Sequence, residues 1–209
     1  MSLEDGHRPY HHGDLRATLL AAAAAEIVVV GTAGLSLRSL ARRAGVSHAA
    51  PAHHFGDKRG LFTALAAEGF HLLHSRTSIA LAGDDALVAT GQRYVEFALD
   101  HPAHFQVMWD TTLVDPMNED LKREHAAAFD VLYEAVRSAT RAADESEVRA
   151  QAMAAWAVVH GLATLWLSGN LPFERSSRLV GAVFCELAPS LVPVARVSLE
   201  QLESSPARA

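Results

Sequence analysis

The chain has 209 residues, half of them hydrophobic, a net charge of −6 and a single cysteine, Cys185. Such a length can bury a core in one compact unit or two small ones. The lone thiol excludes an internal disulfide and fits a reducing cytoplasm, and the acidic balance excludes indiscriminate binding to nucleic acid. Alanine is abundant and alternating apolar and polar runs are scarce, so an all-α fold of about nine helices is expected. Residues 1–10 are polar and charged and lack the apolar run of a secretory signal.

In chain order, Asp14 is the predicted N-cap of a first helix over about 14–30. On it Leu15, Leu19, Ala22, Ala23, Glu26, Ile27 and Val30 recur at helical spacing, and Gly31 and Gly34 end it. Ser36 is predicted to cap a short second helix with Leu37, Leu40, Ala41 and Ala44 inward. Gly45, Val46 and Ser47 form a turn, and a third short helix runs from about His48 to Phe55. Asp57 then caps a long helix from Lys58 to about Leu81. Asp85 caps a helix to about Asp100, and Pro102 suits the first turn of one ending near Trp109. Asp115 and Pro116 open a helix to about Ala142, and residues 145–147 start another to about Gly169. After a stop at 169–172 a last helix is expected over about 174–188, ended by Pro189 and Pro193. The organisation is therefore an N-terminal unit over 1–60, a C-terminal unit over 61–195 and a disordered tail over 196–209.

Residues 150–173 contain no Asp, Glu, Lys or Arg. Their length would span a bilayer, but six alanines together with Gln151, His160, Thr164, Ser168 and Asn170 keep the stretch only moderately apolar. A helix without charge on any side can be buried on every side. In a protein this small, that means its own core on one face and a partner subunit on the other, so no membrane is expected.

Charge is unevenly placed. Residues 1–70 hold seven Lys and Arg against six Asp and Glu, whereas residues 71–209 hold eleven against eighteen. Within 36–60 the basic residues are Arg38, Arg42, Arg43, Lys58 and Arg59, opposed by Asp57 alone. A small basic patch on an acidic body suits a molecule that meets polyanionic DNA at one end. Over 36–55 two short helices joined by a Gly-containing turn have the form of a helix-turn-helix. Gly45 supplies the backbone freedom, Val46 plugs the gap, small Ala41 and Ala44 permit close approach, and Ser47 caps the second helix.

This stretch and the 56–62 segment after it resemble the N-terminal domain of the TetR family of regulators. The resemblance rests on the Asp14 helix, Leu37 to Ala41, Ala44 to Ser47, and Phe55, Lys58 and Leu61 at the family's spacing. Trp156, His160 and Gly161 further resemble the W-x-x-x-H-G signature of one TetR subgroup. The resemblance implies a cytoplasmic bacterial homodimer, most simply a repressor, that reads the two halves of a palindromic operator in double-stranded DNA. Ser47, His48, Ala49 and Ala50 would enter the major groove, and Lys58 would contact a phosphate. Arg38, His53 and His54 are candidates for further DNA contacts. The family usually has an apolar residue and then Tyr before the His; here Pro51 and Ala52 stand there, so the recognition helix is expected to be short or to begin irregularly.

The resemblance also implies a small-molecule effector in the C-terminal unit. Aromatic and Met residues concentrate there, and Phe105, Met108, Trp109, Phe129, Tyr133, Trp156 and His160 are the candidate pocket residues for a largely apolar effector. Trp156 and His160 share a helix face, with His160 the candidate polar handle. The last two helices would pair with their symmetry mates through Val159, Leu162, Trp166, Val180, Val183 and Phe184.

Two other readings compete. Twelve histidines, among them His11 and His12, His53 and His54, and His71 and His74, suggest a metal-responsive regulator, but no Cys pair, HExxH or carboxylate-rich partner accompanies them. A helical enzyme would need a phosphate loop or a nucleophile–base arrangement, and neither GxGxxG nor GxxxxGK[ST] occurs. No catalytic residue, metal or cofactor is expected.

Overall fold

The computed structural model describes residues 12–83, 85–139, 144–171 and 182–183. Among them are eight α-helices: α1 (His12–Gly34), α2 (Leu37–Ala44), α3 (Ala50–Phe55), α4 (Lys58–Ser78), α5 (Ala86–Asp100), α6 (Pro102–Met108), α7 (Glu119–Ala139) and α8 (Glu145–Leu167). A short 3-10 turn, Ile79–Ala82, follows α4. No strand occurs among the described residues, as an all-α composition requires. Apart from residues 182–183, which are helical, the helix expected over 174–188 lies outside the described residues, as do the tail over 196–209, Cys185, Val180 and Phe184.

The local signals place most helix starts. Asp57 caps α4 by accepting the Gly60 N–H at 2.8 Å, and Asp144 caps α8 by accepting those of Ser146 and Glu147. Three helix starts and one cap differ from expectation. Helix α1 begins at His12, two residues before Asp14, and Gly31 interrupts it with φ 71° and ψ 171°, a conformation open to glycine. Helix α3 begins at Ala50 rather than His48, because the Ser47 carbonyl closes a turn on the Ala50 N–H at 3.0 Å. Ser47 thus acts through its backbone and not as a side-chain cap. Asp85 makes no side-chain cap bond to α5. Helix α7 starts at Glu119 rather than at 115–116: Asp115 closes a turn on the Met117 N–H, and Asn118 accepts the Leu121 N–H.

One continuous core runs through the molecule. Leu19, Leu20 and Ile27 of α1 pack with Leu40, Phe55 and the inner face of α4. Further along α4, Leu65, Phe70 and Leu73 join Phe97, Phe105, Val107 and Val159. Helix α4 reaches from one unit to the other, roughly 31 Å for its 21 residues. Gly69 allows the α6 crossing, since a Cβ there would meet Met108 and His104 within 3.1 Å.

Two stretches, Leu15–Gly34 and Glu145–Leu167, are long and apolar enough by composition to cross a membrane. Each buries one face in this core, α1 through Leu19, Ala23 and Ile27 and α8 through Ala155, Val159 and Ala163.

Candidate nucleic-acid interface and internal cavity

The head is built from α2 and α3. Ser36 and Ser39 form a reciprocal cap: the Ser39 N–H donates to Ser36 Oγ at 3.0 Å and the Ser36 N–H to Ser39 Oγ at 3.2 Å. Gly45 takes the left-handed conformation, φ 68°, and the Val46 N–H returns to the Ala41 carbonyl, ending α2 sharply enough for α3 to cross it. Leu40, Ala41, Pro51 and Phe55 form the inner side. Pro51 sits in the first turn of α3, where its missing N–H leaves no bond unmade.

The outer side carries Ser47, His48, Ala49, Ala52 and His53, all exposed, with Ala50 and His54 half-buried. Arg38, Arg42 and Arg43 are exposed on α2. Among the described residues none of the three has an acidic partner, so their charge is available to an external anion. Lys58 is half-buried at the start of α4; its Nζ donates to the Ala33 carbonyl at 3.1 Å and lies 5.5 Å from the Phe62 ring. In the free chain, then, Lys58 also ties α4 to the end of α1.

The joint between head and α4 is tight. A Cβ on Gly60 would fall on the Phe55 carbonyl oxygen. The Arg59 Nε–H donates to the Val114 carbonyl at 3.0 Å and the Asp115 N–H to Thr63 Oγ1 at 2.9 Å, so the loop after α6 holds the head end of α4. Gly60, Arg59 and Thr63 were not readable as joint residues, because their partners are either backbone or about 50 positions away.

In the C-terminal unit Phe105, Trp109, Phe129, Trp156 and His160 come together. His160 stacks on Phe105 with ring centres 5.2 Å apart, and Trp109 and Trp156 lie 5.4 and 5.3 Å from it. Phe129 meets Trp156 at 5.7 Å. The other two candidates do not line the cavity. Met108 lies against Gly69 of α4, and Tyr133 packs at the margin with Val136 and Val148, its ring 6.3 Å from that of Phe129.

Tyr94 organises this cluster. The Trp156 Nε1–H donates to Tyr94 Oη at 3.2 Å, and the Tyr94 hydroxyl donates to His160 Nδ1 at 2.9 Å. Burial holds the Tyr94 hydroxyl well above the usual phenol range, so it keeps its proton. Burial also pushes His160 down, favouring the neutral ring with its proton on Nε2. The expected handle, His160, therefore already spends one nitrogen inside the protein.

Trp109, Phe129 and Trp156 line a cavity of about 40 Å³, together with Leu73 and Thr77 of α4 and Thr90 and Tyr94 of α5. Its wall carries no charged residue. Thr77 returns its hydroxyl to the Leu73 carbonyl at 2.8 Å. Two buried wall atoms, Thr90 Oγ1 and Trp109 Nε1, have no hydrogen-bond partner. Thr90 and Tyr94 are i, i+4 neighbours on α5, a spacing that could have flagged them in the sequence. On the other side of Phe105, Trp109 and His160 lies an open cleft of about 850 Å³, bordered by Ile27, Val28 and Gly31 of α1.

No group of three or more potential metal ligands converges among the described residues. His71 meets Glu124 at 3.1 Å and the His74 Nδ1–H meets the Ala127 carbonyl at 3.1 Å, so both fasten α4 to α7. On α8, Val159 and Trp166, expected at a subunit interface, are buried within the chain at 4% and 8% exposure. The uncharged helix has only one periodic face for the core, and these two lie on it. Leu162 and Val183 are half-buried, while Met153, Ala157, Thr164 and Leu165 are exposed.

Residues 19–65 match the family described as bacterial regulatory proteins, tetR family. Residues 87–186 match the tetracyclin repressor-like C-terminal domain. A protein of unknown function from Rhodococcus sp. RHA1 is 34% identical, with a TM-score of 0.74 over 89% of this chain and 100% of that one. The TetR family transcriptional regulator PfmR from Thermus thermophilus is 19% identical, with a TM-score of 0.65 over 83% and 94% of the two chains. The transcriptional regulator FadR from Bacillus subtilis, in complex with stearoyl-CoA, is 12% identical, with a TM-score of 0.63 over 86% and 96%. At the last two identities the likeness is one of fold. No curated protein matches the sequence.

Proposed function

The chain belongs to the TetR family of bacterial regulatory proteins, and on that premise we propose that it is a homodimeric, cytoplasmic repressor released from a palindromic operator by a small organic effector. Trp156, His160 and Gly161 support membership of the subgroup with the W-x-x-x-H-G motif. The observation that carries the reading is the shared helix α4: Lys58 and the head stand at its first turn, while Leu73 and Thr77 near its other end form part of the cavity wall. A molecule that expands the cavity has to push on the element that positions the head. A coupling of about 1–3 kcal/mol between cavity and head would lower operator affinity about 5–150-fold. FadR, a relative in fold, was captured with an organic molecule, stearoyl-CoA, which is consistent with an effector in this unit.

In the head, Ser47, His48, Ala49 and His53 face the groove and Arg38, Arg42 and Arg43 face the backbone. Lys58 exchanges its bond to the Ala33 carbonyl for a phosphate. Two heads roughly 34–36 Å apart read successive major grooves on one side of the DNA. The dimer forms on the open face of α8, through Met153, Ala157 and Leu165, which are exposed and uncharged.

A footprint on the DNA flanking the gene tests this. The expected result is protection of a palindrome with half-sites one helical turn, or a small multiple of it, apart. No protection of any palindrome at low salt and without effector would overturn the repressor reading.

A further inference from the structure

The cavity's polar atoms divide into those already paired within the protein and those left open. Thr77, Tyr94 and Trp156 spend their donors on the Leu73 carbonyl, His160 and Tyr94 respectively. Thr90 Oγ1 and Trp109 Nε1 spend theirs on nothing, although Thr90 is only 5% exposed. Buried polar groups in folded proteins are nearly always paired, so two open ones on one wall ask for a partner. Among the described residues the other unpartnered buried side-chain atoms, Glu26 Oε2 and Gln151 Oε1, belong to residues off this wall.

The chemistry of that partner is constrained. An indole N–H only donates, and a threonine hydroxyl can donate, so one acceptor oxygen satisfies both through its two lone pairs. The rest of the wall is carbon from Leu73, Leu87, Phe129, Leu132 and Val159. No Lys, Arg or His lines the cavity, so a carboxylate would be buried without a countercharge. Resting on the reading of this cavity as the effector site, we infer that the effector is an uncharged ketone or ester. Its carbonyl oxygen accepts hydrogen bonds from Trp109 Nε1–H and the Thr90 hydroxyl, and its hydrocarbon part fills the apolar wall.

The cavity of about 40 Å³ is close to the room of one water and smaller than such a molecule. Binding therefore displaces part of the wall. The Trp109 indole borders both the cavity and the open cleft of about 850 Å³. The side chain between the two spaces is also one of the two donors.

The test is titration of the full-length protein with methyl pentyl ketone and with heptanoate at a pH where the acid is ionised. Tryptophan fluorescence and calorimetry are the readouts. The ketone is expected to bind and heptanoate not. Thr90→Val and Trp109→Phe are each expected to weaken the ketone about ten-fold. Circular dichroism establishes that both variants are folded. Heptanoate binding as well as the ketone, variants that bind the ketone as the parent does, or no ketone binding at all would each overturn the inference. Operator binding by the parent is read separately: its loss would overturn the repressor reading and leave the ketone titration standing.

Discussion

The Tyr94 hydroxyl holds two other side chains in the sensor, accepting from Trp156 at 3.2 Å and donating to His160 at 2.9 Å. Tyr94→Phe leaves an indole N–H and an imidazole nitrogen without partners inside the protein, at a cost of about 1–3 kcal/mol. A thermal melt should fall by about 2–4 °C for each kcal/mol lost, and an unchanged melt would mean the hydroxyl bridges nothing. Three histidines of the same region respond to pH in one direction. Burial pushes His101, His125 and His160 below the ordinary value of 6.5, with His104 and Arg76 adding to the effect at His101. The folded chain then binds fewer protons than the unfolded one as pH falls past about 6.5. Their stabilising contribution is complete above that value and is lost as pH drops through the lower folded values. Melting temperature should decline on acidification from about pH 7.5 to pH 5.5. His125, between Phe70 at 4.9 Å and Phe129 at 4.6 Å, is the cleanest test. His125→Phe keeps the ring packing and should flatten the decline; a slope equal to the parent's would remove His125 from the account.

Among the elements, the junction of α3 and α4 decides whether the head moves with the lever. Asp57 caps α4 and Gly60 lets its first turn lie against the Phe55 carbonyl. Gly60→Ala forces that carbonyl aside and should cost about 1–3 kcal/mol or more. The expected outcome is a lower melting temperature and lost operator binding, measured by gel shift, with the sensor's helices retained. Full operator affinity in this variant would show that the joint tolerates a wider angle. Helix α3 illustrates how local chemistry and tertiary packing share control. Pro51 announces an irregular start in the sequence, and the chain indeed turns at 48–49 before the helix begins. That turn leaves Ser47, His48 and Ala49 exposed, whereas in a longer helix they would have followed its spiral.

At the scale of the molecule, the uncharged helix α8 has two faces with different fates. Ala152, Ala155, Val159 and Ala163 close the core, and Met153, Ala157 and Leu165 remain open. Ala157→Arg adds an exposed charge that a monomer tolerates within about 0.5 kcal/mol but a dimer would have to bury. Sedimentation should show a monomer with weakened operator binding; a persistent dimer would place the interface elsewhere. The helix-turn-helix framework was legible from the chain alone. Its caps and turns at Ser36, Gly45 and Asp57 join residues no more than five positions apart, and local sequence encodes such bonds. The aromatic candidates were legible as a class, since size and apolarity send them inward. Which of them form the cavity was not: Met108 and Tyr133 are large and mostly apolar like Trp109 and Phe129 but lie off its wall. Nor could the chain alone show that His160 is partly spent while Thr90 and Trp109 are open. That depends on bonds reaching from Tyr94 across more than 60 positions to α8, and only the packing of α5 against α8 brings those atoms within reach.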